Sequence, residues 1–209
     1  EECTKFKDRS AEFQKGFTGT APIPYTILAG TYLVDCEPKI FFEWKREDEK
    51  FIQLSTKKKA NFPELKIKEM DNPNVNAESI IVAISTTRRI KKHQLKDFGE
   101  QDIIEIYLDD CKDNNITYIK QLQNYRKVIL DELEALGRKN YPQLNQINLV
   151  TSIPSCMSLE IGRMIAQNNN RVKKIVAYHF VNQGTKLYPF GIAVTESQGQ
   201  YKKGELIQN

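Results

Sequence analysis

The sequence predicts an α/β fold with mostly parallel sheets, flanking helices and a C-terminal β-hairpin. Residues 80–84 (IIVAI) are apolar throughout, which is typical of a parallel strand buried on both faces. Residues 147–150 (INLV) form a second apolar run, and Pro154 shows that this strand does not continue. Each run leads through a loop of Ser and Thr into apolar residues at helical spacing. The strand–loop–helix unit therefore occurs twice, and we expect two Rossmann-like halves, residues 39–114 and 115–209.

Local patterns predict the other elements. A long amphipathic helix is expected over about residues 116–137, with Asp113 or Asn115 as its cap and Gly137 at its end. Residues 1–38 are expected to be a linker or entry segment, in which residues 21–38 are irregular but partly buried. The other predicted strands are residues 40–44, 51–54, 65–68 and 103–108, then 173–181 and 188–195 as the hairpin, before a frayed tail at 197–209.

The composition indicates a packed and mildly basic protein. The 209 residues are 40% hydrophobic with a net charge of +4, and the basic residues are spread along the chain, whereas DNA-binding surfaces usually cluster them. The four cysteines form no CxxC pair and there are two histidines, so their spacing predicts neither a zinc site nor disulfides. No membrane-spanning run or signal peptide is evident. We expect a cytoplasmic location, no membrane partner, no cofactor, and a chain that is the C-terminal part of a longer protein.

The first Ser/Thr loop contains Thr86, Thr87 and Arg88. Ligands of open α/β sheets bind outside the carboxyl ends of the strands, so both Ser/Thr loops are expected on one rim. Hydroxyl and backbone N–H groups bind phosphate oxygens, and an arginine can bind a phosphate with two hydrogen bonds. The alternative is that these residues are helix caps and a surface arginine.

The second loop contains Pro154, Ser155, Cys156 and Met157 at the start of a predicted helix. Ser155 is the strongest candidate to bind phosphate or ribose, facing Thr86 across the ligand. Cys156 is expected to have a pKa lowered by the helix N-terminus and to pack against a base, not to act as a nucleophile. The alternative is capping and burial.

Aromatic residues supply candidates for base stacking. Trp44, the only tryptophan, precedes Lys45 and Arg46, so its ring can stack on a base, worth about 1–3 kcal/mol, while a neighbouring cation meets phosphate. Tyr178 and Phe180 share one face of a predicted strand and could stack a second base. The alternative for each ring is packing in the core or in a hairpin.

These motifs together resemble the SAVED domain, a family described as two fused CARF-like halves that sense cyclic oligonucleotides in bacterial anti-phage (CBASS) and CRISPR-linked defence. The resemblance covers residues 39–195 and rests on FFEWKR, IIVAISTTRRI, SIPSCMSLEIGRMI and KKIVAYHFVNQGTKLYPFGIAV, in family order.

The resemblance implies a sensor that binds a cyclic dinucleotide or trinucleotide (cGAMP-like), oligomerises, and activates a fused effector. Residues 1–38 would then lead from an absent upstream effector, most like an HNH DNA endonuclease, which alone would contact DNA and hold a divalent metal. The chain itself is expected to have no catalytic or metal-binding residues. The alternatives are a ring nuclease or phosphodiesterase that degrades the cyclic nucleotide, and a protein-interaction or non-specific nucleic-acid domain.

Overall fold

Ten strands and four α-helices are formed by the residues that the computed structural model describes, which are 2–57, 61–168, 174–196 and 201–209. The strands in chain order are β1 (Gly16–Phe17), β2 (Ile40–Lys45), β3 (Lys50–Gln53), β4 (Lys66–Lys68), β5 (Ser79–Ser85), β6 (Ile103–Tyr107), β7 (Gln146–Ser152), β8 (Lys174–His179), β9 (Phe190–Ala193) and β10 (Leu206–Gln208). The helices are α1 (Glu2–Arg9), α2 (Ile23–Tyr32), α3 (Ile119–Lys139) and α4 (Ser155–Gln167), with a 3₁₀ helix at Lys92–Phe98.

Seven of these strands form one sheet in the order β10–β9–β8–β7–β5–β6–β4. The four central strands are parallel, and β4, β9 and β10 are antiparallel to their neighbours. This confirms the α/β class and the β8–β9 hairpin. A separate small sheet contains β1, β2 and β3.

The two predicted units lie side by side in this one sheet and do not form separate sheets. Strand β5 of the first unit pairs with β7 of the second along the whole of both strands, from Ser79–Gln146 to Ser85–Ser152. The predicted division between residues 114 and 115 falls in the connection from β6 to α3. Because the paired strands end at the same level, the loops that follow them are neighbours.

The sheet is covered differently on its two faces. Alternate residues of β5, Ile80, Val82 and Ile84, pack with residues of α2, α3 and α4. Ile81 and Ala83 face the other side, where the cover comes from the 3₁₀ helix and the β8–β9 connection. The predicted burial of β5 on both faces is confirmed, but α-helices supply only one of the two covering layers.

Helix α2 crosses α4 at a pair of glycines. A Cβ atom on Gly162 would lie 1.9 Å from the carbonyl oxygen of Ile27, and one on Gly30 would lie 2.3 Å from that of Leu159. Only glycine allows the backbones to approach this closely. Ile27 is fully buried, and β1 pairs with β2, so residues 16–32 pack as part of the same folded unit.

Some predicted boundaries differ from the observed ones. Helix α3 begins at Ile119, beyond the predicted caps, and continues past Gly137 to Lys139. Asn115 does not cap it, because its amide donates instead to the backbone oxygen of Thr86. The predicted frayed tail contains β10, which pairs with β9. Residues 173 and 197–200 of the predicted strand and tail lie outside the described residues.

No described helix combines the length and the apolar character needed to cross a membrane.

Candidate functional site

A pocket of about 740 Å³ opens at the carboxyl ends of the parallel strands. The size lies in the range of ligand pockets, about 300–1,000 Å³, and the position is the one expected for ligands of open α/β sheets. The wall has contributions from both Ser/Thr loops, strand β2, the segment before α2, the β6–α3 connection and the β8–β9 connection. The lining residues used below are Glu43, Trp44, Arg46, Thr87, Arg88, Arg89, Ser152, Pro154, Ser155, Tyr178, Phe180 and Tyr188.

Hydrogen bonds join the two Ser/Thr loops directly. The backbone N–H groups of Thr86 and Thr87 donate to the carbonyl oxygen of Ser152, at 2.9 and 3.0 Å. The hydroxyls of Thr87 and Ser152 are 2.9 Å apart, and the Arg88 N–H donates to the Ser152 hydroxyl at 3.1 Å. Ser152 therefore fixes the backbone from which Arg88 projects. The sequence analysis did not single out this serine, although it ends β7 beside the end of β5.

Eight of the twelve sequence-predicted binding residues line this one pocket, which brings together segments far apart in the chain. They are Trp44, Arg46, Thr87, Arg88, Pro154, Ser155, Tyr178 and Phe180. The common rim follows from the parallel pairing of β5, β7 and β8.

Four predicted contacts lie elsewhere. Thr86, Cys156 and Met157 are fully buried. Neighbouring residues in a loop or strand often point in opposite directions, so that Thr87 and Ser155 line the pocket while these three side chains point into the core. Lys45 lies in the β2–β3 hairpin, where its Nζ is 3.0 Å from Asp48 Oδ2. The prediction that Thr86 faces Ser155 across a ligand is therefore wrong: Thr86 is inside the protein and its loop is bonded to Ser152.

The expected lowering of the Cys156 pKa is also wrong. Burial and the neighbouring Glu43 carboxyl raise the pKa of the Cys156 thiol well above its ordinary value. Both effects disfavour the thiolate and exceed the lowering expected at a helix N-terminus. The thiol is an inert part of the core.

Glu43 is a pocket residue that the sequence analysis missed. Its carboxylate accepts a hydrogen bond from the Cys156 N–H, and the Ser155 N–H is also directed at it. The side chain is only 9% exposed, and burial raises its pKa, against the lowering effect of these hydrogen bonds. A signal was available, because β alternation places Glu43 on the inward face with Phe41, where an acid is rarely found.

Three arginines line the pocket, and they differ in their partners. Arg89 forms an ion pair with Glu105, and its guanidinium carbon is 3.2 Å from the centre of the Tyr107 ring. Arg46 and Arg88 are exposed, and within the described parts of the chain neither forms an ion pair. These two cations are therefore available to an anionic ligand.

Two aromatic rings present open surface to the pocket. Trp44 is 37% exposed and Phe180 is 39% exposed. Phe51 supports Trp44 edge-on at 5.1 Å between ring centres, and Tyr188 supports Phe180 at 5.6 Å. Tyr178 differs, because it is packed against Phe98 and burial raises its pKa to about 12. Its ring is chiefly part of the core, with an edge at the pocket.

The arrangement is that of a binding pocket. It combines available cations, exposed ring faces and backbone and hydroxyl groups, which suit phosphates, bases and riboses respectively. Over residues 2–57, 61–168, 174–196 and 201–209, no three His, Cys, Asp or Glu side chains are grouped in a way that could hold a metal ion. The fold and the site define an α/β domain with a pocket whose chemistry suits a nucleotide-like ligand.

The chain belongs to the SAVED family, whose sequence model matches residues 1–194 and is described as "SMODS-associated and fused to various effectors sensor domain". The chain is therefore a ligand-sensing domain, as the motifs indicated. No curated protein matches the sequence.

Solved structures with a similar fold are Cap4 SAVED/CARF-domain receptors. The Acinetobacter baumannii receptor with the cyclic trinucleotide 2′3′3′-cAAA has a TM-score of 0.60 and 16% identity, over 87% of this chain and 39% of that chain. The same receptor with 3′3′3′-cAAA has a TM-score of 0.57 and 16% identity, over 81% and 36%. The Moraxella osloensis receptor has a TM-score of 0.50 and 12% identity, over 86% and 37%. The chain thus spans less than half the length of these receptors.

Proposed function

We propose that this domain binds a cyclic dinucleotide or trinucleotide in the pocket at the carboxyl ends of β5, β7 and β8. The observation that carries the proposal is the combination, around one cavity of about 740 Å³, of two exposed, supported rings and two arginines that form no ion pair with any described residue. Family membership and the cyclic trinucleotides in the similar receptors support a cyclic ligand.

Each part of such a ligand has a complementary group in the pocket. Arg88 and Arg46 bind phosphates, Arg88 from a backbone that Ser152 holds in place. Trp44 and Phe180 stack bases. Ser155 and Thr87 offer hydroxyls to the sugar–phosphate ring. Lys45, Thr86, Cys156 and Met157 are not direct contacts, because they are buried or lie outside the pocket.

The wider role is proposed from the resemblance to the SAVED family and not from the pocket itself. Binding induces self-association, which activates an effector fused to the domain, proposed to be an HNH DNA endonuclease in anti-phage defence in the bacterial cytoplasm. DNA contact and any divalent metal belong to that effector, and this domain needs no cofactor. Sedimentation of the domain with and without bound ligand tests the self-association step, for which a shift to larger species is expected.

Calorimetry with a panel of cyclic dinucleotides and trinucleotides, including cGAMP, 2′3′3′-cAAA and 3′3′3′-cAAA, tests the proposed function. At least one ligand is expected to bind with a Kd in the micromolar range or tighter. Arg88→Ala is expected to weaken that binding by about tenfold or more, because a hydrogen bond to a charged group contributes about 1.5–3 kcal/mol. Arg138→Ala, on the exposed surface of α3, is the matched control and should bind like the wild type.

Two results would overturn the proposal. One is absence of binding across the panel by protein that is folded. The other is equal binding by Arg88→Ala and the wild type, which would put the ligand elsewhere. Chromatography of the recovered ligand separates a sensor from a phosphodiesterase, because a linear product would show that the chain degrades what it binds.

A further inference from the structure

The N-terminus of helix α4 already holds an anion supplied by the chain itself. The first-turn N–H groups of a helix lack partners within the helix and attract negative charge. Here the N–H of Cys156 donates to Glu43 Oε1, and that of Ser155 is directed at the same carboxyl. The N–H of Ser158 is bonded within the helix to Pro154. Glu43 therefore occupies two of the N–H groups that a ligand phosphate would use at this point, those of Ser155 and Cys156.

Glu43 is held firmly in this position. It lies on β2, where it pairs with Ile52 of β3, and it is about nine-tenths buried. Ser155 and Trp44 line the pocket together with Glu43. A second anion brought to this helix end would meet the carboxylate in a partly buried setting, where repulsion between like charges is only weakly screened.

The charge of the pocket is consequently divided. Arg46 and Arg88 are the exposed cations, whereas the wall formed by Glu43 and the start of α4 carries an acidic group. A carboxylate accepts hydrogen bonds from neutral donors such as the amino groups of bases. The two walls therefore suit different parts of a nucleotide.

We propose that Glu43 is a specificity-determining residue that keeps phosphate away from the N-terminus of α4 and reserves that wall for an uncharged nucleoside portion of the ligand. The proposal rests on the proposed function and refines it by fixing the orientation of the ligand. Phosphates lie at Arg46 and Arg88, and a base or ribose lies against Pro154 and Ser155.

NMR of the backbone amides of Ser155 and Cys156 tests the proposal with inorganic phosphate as the probe. In the wild type, millimolar phosphate should shift these two amides no more than it shifts other surface amides. In Glu43→Ser, which vacates the position, the same titration should shift both amides saturably. Saturable shifts in the wild type would overturn the proposal, as would a folded Glu43→Ser protein whose amides do not respond.

Glu43→Gln is the second variant, because it keeps the size and one hydrogen-bond acceptor while removing the charge. It should bind the tightest cyclic ligand of the calorimetry panel at least about threefold more tightly, since one like charge is lost. Equal or weaker binding would contradict a repulsive role. The two proposals can fail separately. If Glu43→Ser binds phosphate but no cyclic ligand of the panel binds the wild type, only the proposed function is rejected. If a cyclic ligand binds but phosphate shifts the Ser155 and Cys156 amides of the wild type, only the role of Glu43 is rejected.

Discussion

At the scale of single residues, Trp44 and Glu43 are neighbours on β2 with opposite surroundings. Trp44 projects an open ring into the pocket, and Glu43 turns its carboxyl towards helix α4. Alternation along a strand explains the difference. The sequence predicted the exposed member of the pair, because an aromatic residue beside cations is a recognisable feature of nucleotide sites. It did not predict the role of Glu43, because the N–H groups that bond its carboxylate belong to Ser155 and Cys156, which are distant in the sequence.

Trp44→Ala should weaken binding of the cyclic ligand by about fivefold to 150-fold, because stacking on a base contributes about 1–3 kcal/mol. The melting temperature should fall only modestly, since Trp44 is 37% exposed and loses its edge-on contact with Phe51. Trp44→Phe keeps a ring and should retain most of the affinity. Because Trp44 is the only tryptophan, its fluorescence in the wild type should also change on binding. An unchanged Kd in Trp44→Ala would remove this residue from the site.

Glu43→Gln should reveal a pH-dependent contribution of Glu43 to stability. Burial raises the pKa of Glu43 above its ordinary value of 4.5, so the folded protein holds this proton more tightly than the unfolded chain does. The resulting stabilisation is fully present below the ordinary pKa and is lost as pH rises through the raised pKa. The free energy of unfolding of the wild type minus that of Glu43→Gln should therefore fall with increasing pH.

Urea denaturation of both proteins from pH 4 upwards measures this difference, and other titrating groups cancel because both proteins contain them. A difference that is constant with pH, or that increases as pH rises, would show that Glu43 is not destabilised by its burial.

At the scale of elements, the position of the pocket at the ends of the parallel strands was predictable. The pairing and packing of the elements around it were not. The strand–loop–helix units follow from the apolar runs that became β5 and β7, and parallel pairing brings their loops to one edge. The sequence did not show that β5 and β7 are adjacent in one sheet, because pairing over a long chain separation leaves no local pattern. Nor did it show that α2 packs on α4, a contact that depends on Gly30 and Gly162.

Gly162→Ala should destabilise the fold by about 1–3 kcal/mol or more, the usual cost of overpacking a core. Its Cβ atom would meet backbone at 1.9 Å, and neither helix can move without disturbing the core between them. Gly16→Ala is the matched control, because its nearest contact would be an ordinary 3.7 Å to Ile40. Thermal melting compares the two variants, and equal melting temperatures would show that the α2–α4 crossing is looser than described.

At the scale of the whole molecule, the seven-stranded sheet, the small β1–β3 sheet and the pocket that they line form a sensor domain of the SAVED family. The chain spans about 39% of the length of the similar Acinetobacter baumannii receptor, so the response to ligand is proposed to belong to a larger protein. Within this domain, the pocket is lined both by β2 and by the loops that follow β5, β7 and β8 of the seven-stranded sheet. A ligand held by Trp44 and Arg88 would bridge these two parts.

A crystal structure of the domain with the tightest cyclic ligand of the panel would show which residues contact the phosphates and bases. We expect a phosphate within about 3 Å of the Arg88 guanidinium, the distance of a charge-assisted hydrogen bond. We also expect a base stacked on Trp44 or Phe180 and an uncharged portion of the ligand against Ser155. A ligand bound outside this pocket, or one in the pocket whose phosphates contact neither Arg46 nor Arg88, would contradict the account.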